Sequence, residues 1–113
     1  HEEEEEEGPM SLSVKTEKTG SHVDVVILGE VDVSCAPDLT EALASVLEDD
    51  VATIDVDMAQ VPYIDSTGIG VLVAAAHRAQ DAGSELTVSR PQPNVLRVLT
   101  LLGVGSEFNV NEA

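Results

Sequence analysis

Aromatic side chains are nearly missing from this chain: 113 residues contain one Tyr, one Phe and no Trp. A single-stranded nucleic-acid platform needs rings on which bases stack, so the composition argues against one, and the core must be built from aliphatic residues. Bases are equally scarce. Five Lys and Arg stand against 22 Asp and Glu, giving a net charge of −17. A surface of that sign repels phosphate backbones and anionic lipid, so no direct nucleic-acid partner and no membrane partner is expected. One cysteine, Cys35, cannot form an internal disulfide, and no Cys/His cluster has metal-ligand spacing. Neither a metal site nor a cofactor is expected. No apolar run approaches the ~18–20 residues of a spanning helix, and no signal-peptide pattern follows Met10, which makes the cytoplasm the expected compartment.

Part of the acidity is local. His1 is followed by six consecutive glutamates and then Gly8-Pro9. Residues 1–9 read as a tag-like acidic leader ahead of a natural start at Met10, expected to be disordered and set aside from fold reasoning. Without those six acids the balance is 16 against 5, a net charge of −11, still strongly acidic. The remaining 10–113 is the length of one domain, and 42% hydrophobic residues are enough to give it a core.

Leu12-Ser13-Val14-Lys15-Thr16-Glu17 alternates apolar with polar, the period of a half-exposed strand. Thr19-Gly20-Ser21-His22 is a turn, and the denser apolar run at 23–28 completes a hairpin with a buried second strand. After residues 29–32, Pro37 and Asp38 suit the first turn of a helix capped near Ser34 or Cys35. Leu39, Leu43, Val46 and Leu47 form its stripe, and Glu48-Asp49-Asp50 ends it. Ile54, Val56 and Met58 alternate with Asp55 and Asp57 in a third strand. A second helix begins after Asp65, burying Ile69, Leu72, Val73 and Ala76 and stopping at Gly83. Leu86-Thr87-Val88 is a fourth strand. Pro91 and Pro93 bracket the start of a third helix with the stripe Val95, Leu96, Leu99 and Leu102, and residues 108–110 can form a last strand. The order β-β-α-β-α-β-α-β predicts an α/β fold: one sheet of four to five mixed, mostly parallel strands with packed helices. Functional groups in such sheets gather in the loops at the carboxyl ends of strands. Residues 29–32 and 65–68 are those loops here, and they should be neighbours in space.

Asp65-Ser66-Thr67-Gly68-Ile69-Gly70 is the most informative segment. Asp65 can cap the second helix, which places Ser66 at its first position, beside unpaired N–H groups and the positive end of the dipole. Two glycines so early in a helix cost about 1 kcal/mol each against Ala, and they leave the backbone bare for another surface to approach. A capped helix with a packing glycine accounts for the same residues. Ser66 is a poor catalytic nucleophile: Ile64 stands where a Gly-x-Ser-x-Gly elbow needs glycine, and neither His22 nor His77 is placed as a base. No catalytic residue is expected. Asp55 and Asp57 share one strand face and read as a solvated face rather than a metal pair. No phosphate-binding glycine loop is present, and Cys35 reads as a small structural residue.

Gly29-Glu30-Val31-Asp32, then Ala36-Pro37-x-Leu39, then Val61-x-Tyr63-Ile64-Asp65-Ser66-Thr67-Gly68-Ile69-Gly70-Val71-Leu72 resembles the STAS domain family, and within it the bacterial anti-sigma factor antagonists. The likeness runs from about Leu12 to Val110, and the Asp-Ser-Thr-Gly-x-Gly segment is its most specific part. The resemblance implies that Ser66 is phosphorylated by a partner anti-sigma factor serine/threonine kinase. It also implies a partner-binding surface made of Gly29, Glu30, Asp32, Asp65, Ser66, Thr67 and Gly68. Family members usually continue into a final helix, so a shortened C-terminus is an expectation here. The implied function is a switch without catalysis of its own: the unphosphorylated form binds the kinase and frees a sigma factor, and phosphorylation on Ser66 ends binding. The alternative keeps the fold and drops the switch, as a scaffold domain of a transporter or a stressosome-type complex. A phospho-aspartate receiver fails on inventory: it needs an acidic pair after the first strand and a lysine near the last one, and the only lysines are Lys15 and Lys18.

Overall fold

A computed structural model describes residues 4–7, 12–103 and 109–111. Among these described residues, six strands and three helices follow one another as β1 (Glu4–Glu7), β2 (Ser13–Thr19), β3 (His22–Leu28), α1 (Ala36–Leu47), β4 (Thr53–Gln60), α2 (Ser66–Asp81), β5 (Glu85–Ser89), α3 (Pro93–Leu101) and β6 (Asn109–Asn111). They form one sheet whose strands lie side by side in chain order. The hairpin β2–β3 is antiparallel, and β3–β4, β4–β5 and β5–β6 are parallel. Each parallel step crosses over through one helix. With strands added in one direction, right-handed crossovers bring all three helices to the same face.

The strand sequences dictate which face that is. Val23, Val25 and Ile27 of β3 alternate with half-buried neighbours, as do Ile54, Val56 and Met58 of β4, so each strand buries one side only. Those residues meet Leu39 and Leu43 of α1, Ile69 and Leu72 of α2, and Val95 and Leu99 of α3 in one aliphatic core. On the other face Asp24, Asp55 and Thr87 share a row, and Val26, Asp57 and Ser89 share the next. This second face is not simply solvated, as the alternation at 54–58 suggested. The Ser89 hydroxyl donates to Asp55 and the Arg90 guanidinium to Asp57, so each carboxylate has a partner from β5 or its end. The hydrogen bond to Asp57 raises the Arg90 pKa above its ordinary value, and the neighbouring charge adds to it.

Three expectations are corrected. Residues 4–7, expected to be disordered, lie antiparallel along β2, with Glu5 opposite Lys15. Composition decides whether a segment can bury apolar area, but an exposed strand edge offers backbone partners to any sequence. Val73 is only half-buried, and Ala75 and Ala79 join Ile69, Leu72 and Ala76 in facing the sheet instead. Leu102 lies outside α3 and is exposed, because the helix ends one turn after Val98 and Gly103 turns the chain away at φ +67. Phe108, placed at the start of the last strand, lies outside the described residues; β6 covers Asn109–Asn111.

Candidate functional site

The carboxyl ends of β3 and β4 open onto the two loops singled out from sequence, and the backbone joins them. Gly29 leaves β3 at φ +111, a conformation that side chains disfavour. Its N–H donates to the Gln60 carbonyl at 3.1 Å, the Val31 N–H to the Tyr63 carbonyl at 2.9 Å, and the Asp65 N–H to the Val31 carbonyl at 3.1 Å. Val31 and Ile64 thus form a parallel bridge beyond the ends of their strands. Residues 29–33 and 60–65 run side by side.

Asp65 fastens this junction to α2. Its backbone is extended, and its Oδ1 accepts the Gly68 N–H at 2.9 Å as the helix N-cap. Its Oδ2 accepts the Val33 N–H from the other loop at 3.2 Å. One carboxylate therefore caps the helix and ties down the neighbouring loop. Ser66 follows as the first helical residue, and it and Thr67 are exposed. Gly68 is buried. A Cβ there would stand 2.6 Å from Val31 Cγ1 and 2.9 Å from Ile64 Cγ1, so a side chain at that position would force those neighbours to shift. Gly70 faces open space. Only one of the two early glycines is needed for packing.

Asp32 turns back on its own loop. Its Oδ1 accepts from Ser34 N–H at 3.0 Å and from Ser34 Oγ at 2.6 Å. The Ser34 side chain, with help from backbone and Cys35 bonds and against burial, holds the Asp32 carboxyl below its ordinary pKa. Cys35 is buried as the N-cap residue of α1, though its side chain makes no capping bond. Its thiol donates to the Glu30 carbonyl at 3.4 Å, and burial pushes its pKa up, the Asp32 charge also contributing. A thiol held protonated in this way is structural, as its sequence context suggested.

The start of α3 steadies the site from the far side, and its residues gave no signal in the sequence. Gln92 Nε2 donates to the Ala59 carbonyl at 2.9 Å and Asn94 Nδ2 to the Pro62 carbonyl at 2.6 Å. Amide side chains beside prolines at a helix start look generic; their acceptors are more than thirty residues away and only the fold supplies them.

The arrangement presents a hydroxyl on a braced, acidic platform. Neither His22 nor His77 serves Ser66 as a base. His22 begins β3 at the opposite end of the sheet, its Nδ1 2.6 Å from Thr53 Oγ1 and its Nε2 2.9 Å from Asp24 Oδ1. His77 lies eleven residues along α2, about 16 Å away at the helical rise. No group of three or more metal-ligating side chains occurs among the described residues. No helix among them is long and apolar enough to cross a membrane.

Comparison with known proteins matches this chain to a family. Residues 14–109 match the family described as "Mlab, STAS domain". The chain belongs to the STAS domain family. This STAS domain is 30% identical over 101 residues to the anti-sigma-B factor antagonist of Listeria monocytogenes, covering 89% of this chain and 88% of that relative. Its fold matches the crystal structure of an anti-sigma factor antagonist from Mycobacterium paratuberculosis with a TM-score of 0.84 at 23% identity, over 96% of this chain and 92% of that one. It also matches the Bacillus cell fate determinant SpoIIAA in its phosphorylated form, with a TM-score of 0.68 at 18% identity, over 86% of this chain and 89% of that one. All seven residues assigned to the partner surface from sequence lie on the two joined loops and the first turn of α2 of the STAS domain. The side chains are not equivalent, however. Ser66, Thr67 and Glu30 are exposed, whereas Asp65 and Asp32 are engaged in bonds and Gly68 is packed inside.

Proposed function

We propose that this STAS domain is an anti-sigma factor antagonist switched by phosphorylation on Ser66. Unphosphorylated, it binds an anti-sigma factor serine/threonine kinase and so releases a sigma factor; phosphorylated, it lets the kinase go. The observation that carries the reading is Ser66 itself: an exposed hydroxyl at the first position of a helix whose start is fixed by Asp65 and Gly68. Relatives named anti-sigma-B factor antagonist, and a structural neighbour solved in a phosphorylated form, support it. The domain is then a substrate and ligand of the kinase and performs no catalysis.

Transfer joins Ser66 Oγ to the γ-phosphorus of ATP, the bond to the β-bridging oxygen breaks, ADP leaves, and the hydroxyl proton passes to a base on the kinase. The product adds about −1.5 to −2 charges and three acceptor oxygens. The fold tolerates this charge, because the helix N-terminus favours it by about 0.3–1 kcal/mol. The contact surface does not. Glu30, Asp32 and Asp65 already make the joined loops acidic, and like charges brought together at an interface cost several kcal/mol, each 1.4 of which is tenfold in affinity. Binding is expected to weaken by about a hundredfold or more without rearrangement of the domain.

The test is incubation with purified anti-sigma kinases and ATP, then intact mass, site mapping and calorimetry of both forms. Ser66→Ala should bind the kinase and resist phosphorylation, and Ser66→Glu should bind poorly. Equal affinities of the two forms, or phosphate mapped to Thr67, would falsify the assignment of Ser66.

A further inference from the structure

Four large apolar side chains stand exposed among the described residues: Val33 at 66%, Tyr63 at 48%, and Leu101 and Leu102 at the end of α3. Val33 and Tyr63 belong to different loops, yet those loops are the pair joined at the Val31–Ile64 bridge. Both are held in place by their own backbones: the Val33 N–H is bonded to the Asp65 carboxylate and the Tyr63 carbonyl accepts from Val31. An exposed aliphatic residue and an exposed aromatic one therefore flank the start of α2 on a rigid support. Neither loop, nor the first turn of α2, contains a base, while Glu30, Asp32 and Asp65 supply carboxylates around them. Scattered apolar residues on a surface are ordinary. Two that share a preformed, acid-rimmed junction match the anatomy of an interface centre, where an aromatic anchor fills a pocket and polar groups surround it.

We infer that Val33 and Tyr63 are the apolar anchors of the partner contact, and that the partner's surface carries an apolar pocket rimmed by Lys or Arg. The inference rests on the proposed antagonist function, which supplies the partner, and adds to it the residues that hold that partner. The ring of Tyr63 enters the pocket, Val33 packs at its edge, and the carboxylates meet the basic rim. Burial of the two anchors is indifferent to salt, whereas the rim contribution is screened. Phosphate on Ser66, the first residue of α2, would add negative charge beside this junction and disturb the rim contribution.

Calorimetric titration of purified anti-sigma factors from the source organism, at low and at high salt, tests this. Tyr63→Ser should weaken binding by about tenfold or more at both salt concentrations, and Val33→Ser by several-fold. Tyr63→Phe, which keeps the ring, and Leu101→Ser, which removes an exposed leucine elsewhere, should stay within about twofold of wild type. Thermal midpoints close to wild type establish that the serine variants are folded. If the wild type binds and Tyr63→Ser and Val33→Ser bind equally well, the anchors are wrong and the antagonist reading stands. Should the wild type bind no anti-sigma factor, both fall together. A defect in Tyr63→Ser that vanishes at high salt would also overturn the apolar anchor.

Discussion

Gly68 and Gly70 stand two positions apart in α2 and meet opposite surroundings. An added Cβ at Gly68 would press on Val31 and Ile64, the two residues of the inter-loop bridge, while one at Gly70 would touch nothing within 4 Å. Gly68→Ala should therefore destabilise by about 1–3 kcal/mol through overpacking, more than the ~1 kcal/mol gained in helix propensity. Gly70→Ala should stabilise by about 0.5–1 kcal/mol. Urea midpoints of the two variants would check the opposite signs. Asp32 offers a second measurement at this scale. Its carboxyl is held below the ordinary value first by the Ser34 side chain. A group whose folded pKa is depressed contributes stability above its unfolded pKa, and that contribution disappears as pH falls through the folded value. The Asp32–Ser34 contact should thus persist at neutral pH and be lost only below the usual carboxylate range. Carboxyl-carbon NMR titration should give a low midpoint for Asp32, returning upward in Ser34→Ala.

Elements differ in how much of the fold depends on them. α2 carries Leu72, fully buried between helix and sheet, and Leu72→Ala should cost about 2–5 kcal/mol in chemical denaturation. A loss well below that range would contradict the packing of the helix that positions Ser66. β1 is the opposite case. It is four glutamates on the edge of β2, held by backbone bonds whose net worth is small once exchange with water is counted. Removing residues 1–9 should shift stability by less than about 1 kcal/mol. The edge of β2 remains guarded without it, since Lys15, Glu17 and Lys18 lie along that strand and charged edges resist strand addition.

At the scale of the whole molecule, charge dominates. The chain carries −17 within a radius of gyration of 12.7 Å, comparable to the ~10 Å screening length at 0.1 M salt. Self-repulsion is then felt across the domain at low ionic strength and screened at higher salt. Melting in increasing sodium chloride should show a rising midpoint; each ~1 kcal/mol of relieved repulsion corresponds to roughly 4–8 °C for a domain near this size. A midpoint that falls with salt would mean that attractive pairs such as Asp57–Arg90 outweigh the repulsion. The same excess charge suits a surface that meets a basic partner, and it is unevenly placed, with no base on the two joined loops.

From β2 onward the element order, and with it the buried strand face and the start of α2, was legible in the sequence because each follows from local rules; the additional strand, β1, was not. A dense apolar run marked the strand at 23–28, and period-2 alternation marked Ile54, Val56 and Met58; Asp65 and the two glycines marked the cap; Gly83 marked the stop at φ +83. Tertiary structure decided what local rules cannot reach. The choice of Ala75 and Ala79 over Val73 as sheet-facing residues depends on the exact rotation of α2 over the strands. The second role of the Asp65 carboxylate, its bond to Val33, the Gln92 and Asn94 braces and the partners of Asp55 and Asp57 join positions some thirty residues apart. A carboxylate or an amide has the same appearance in a sequence whether it faces water or a distant backbone group. Only the fold, by setting which groups approach within 3 Å, tells those apart.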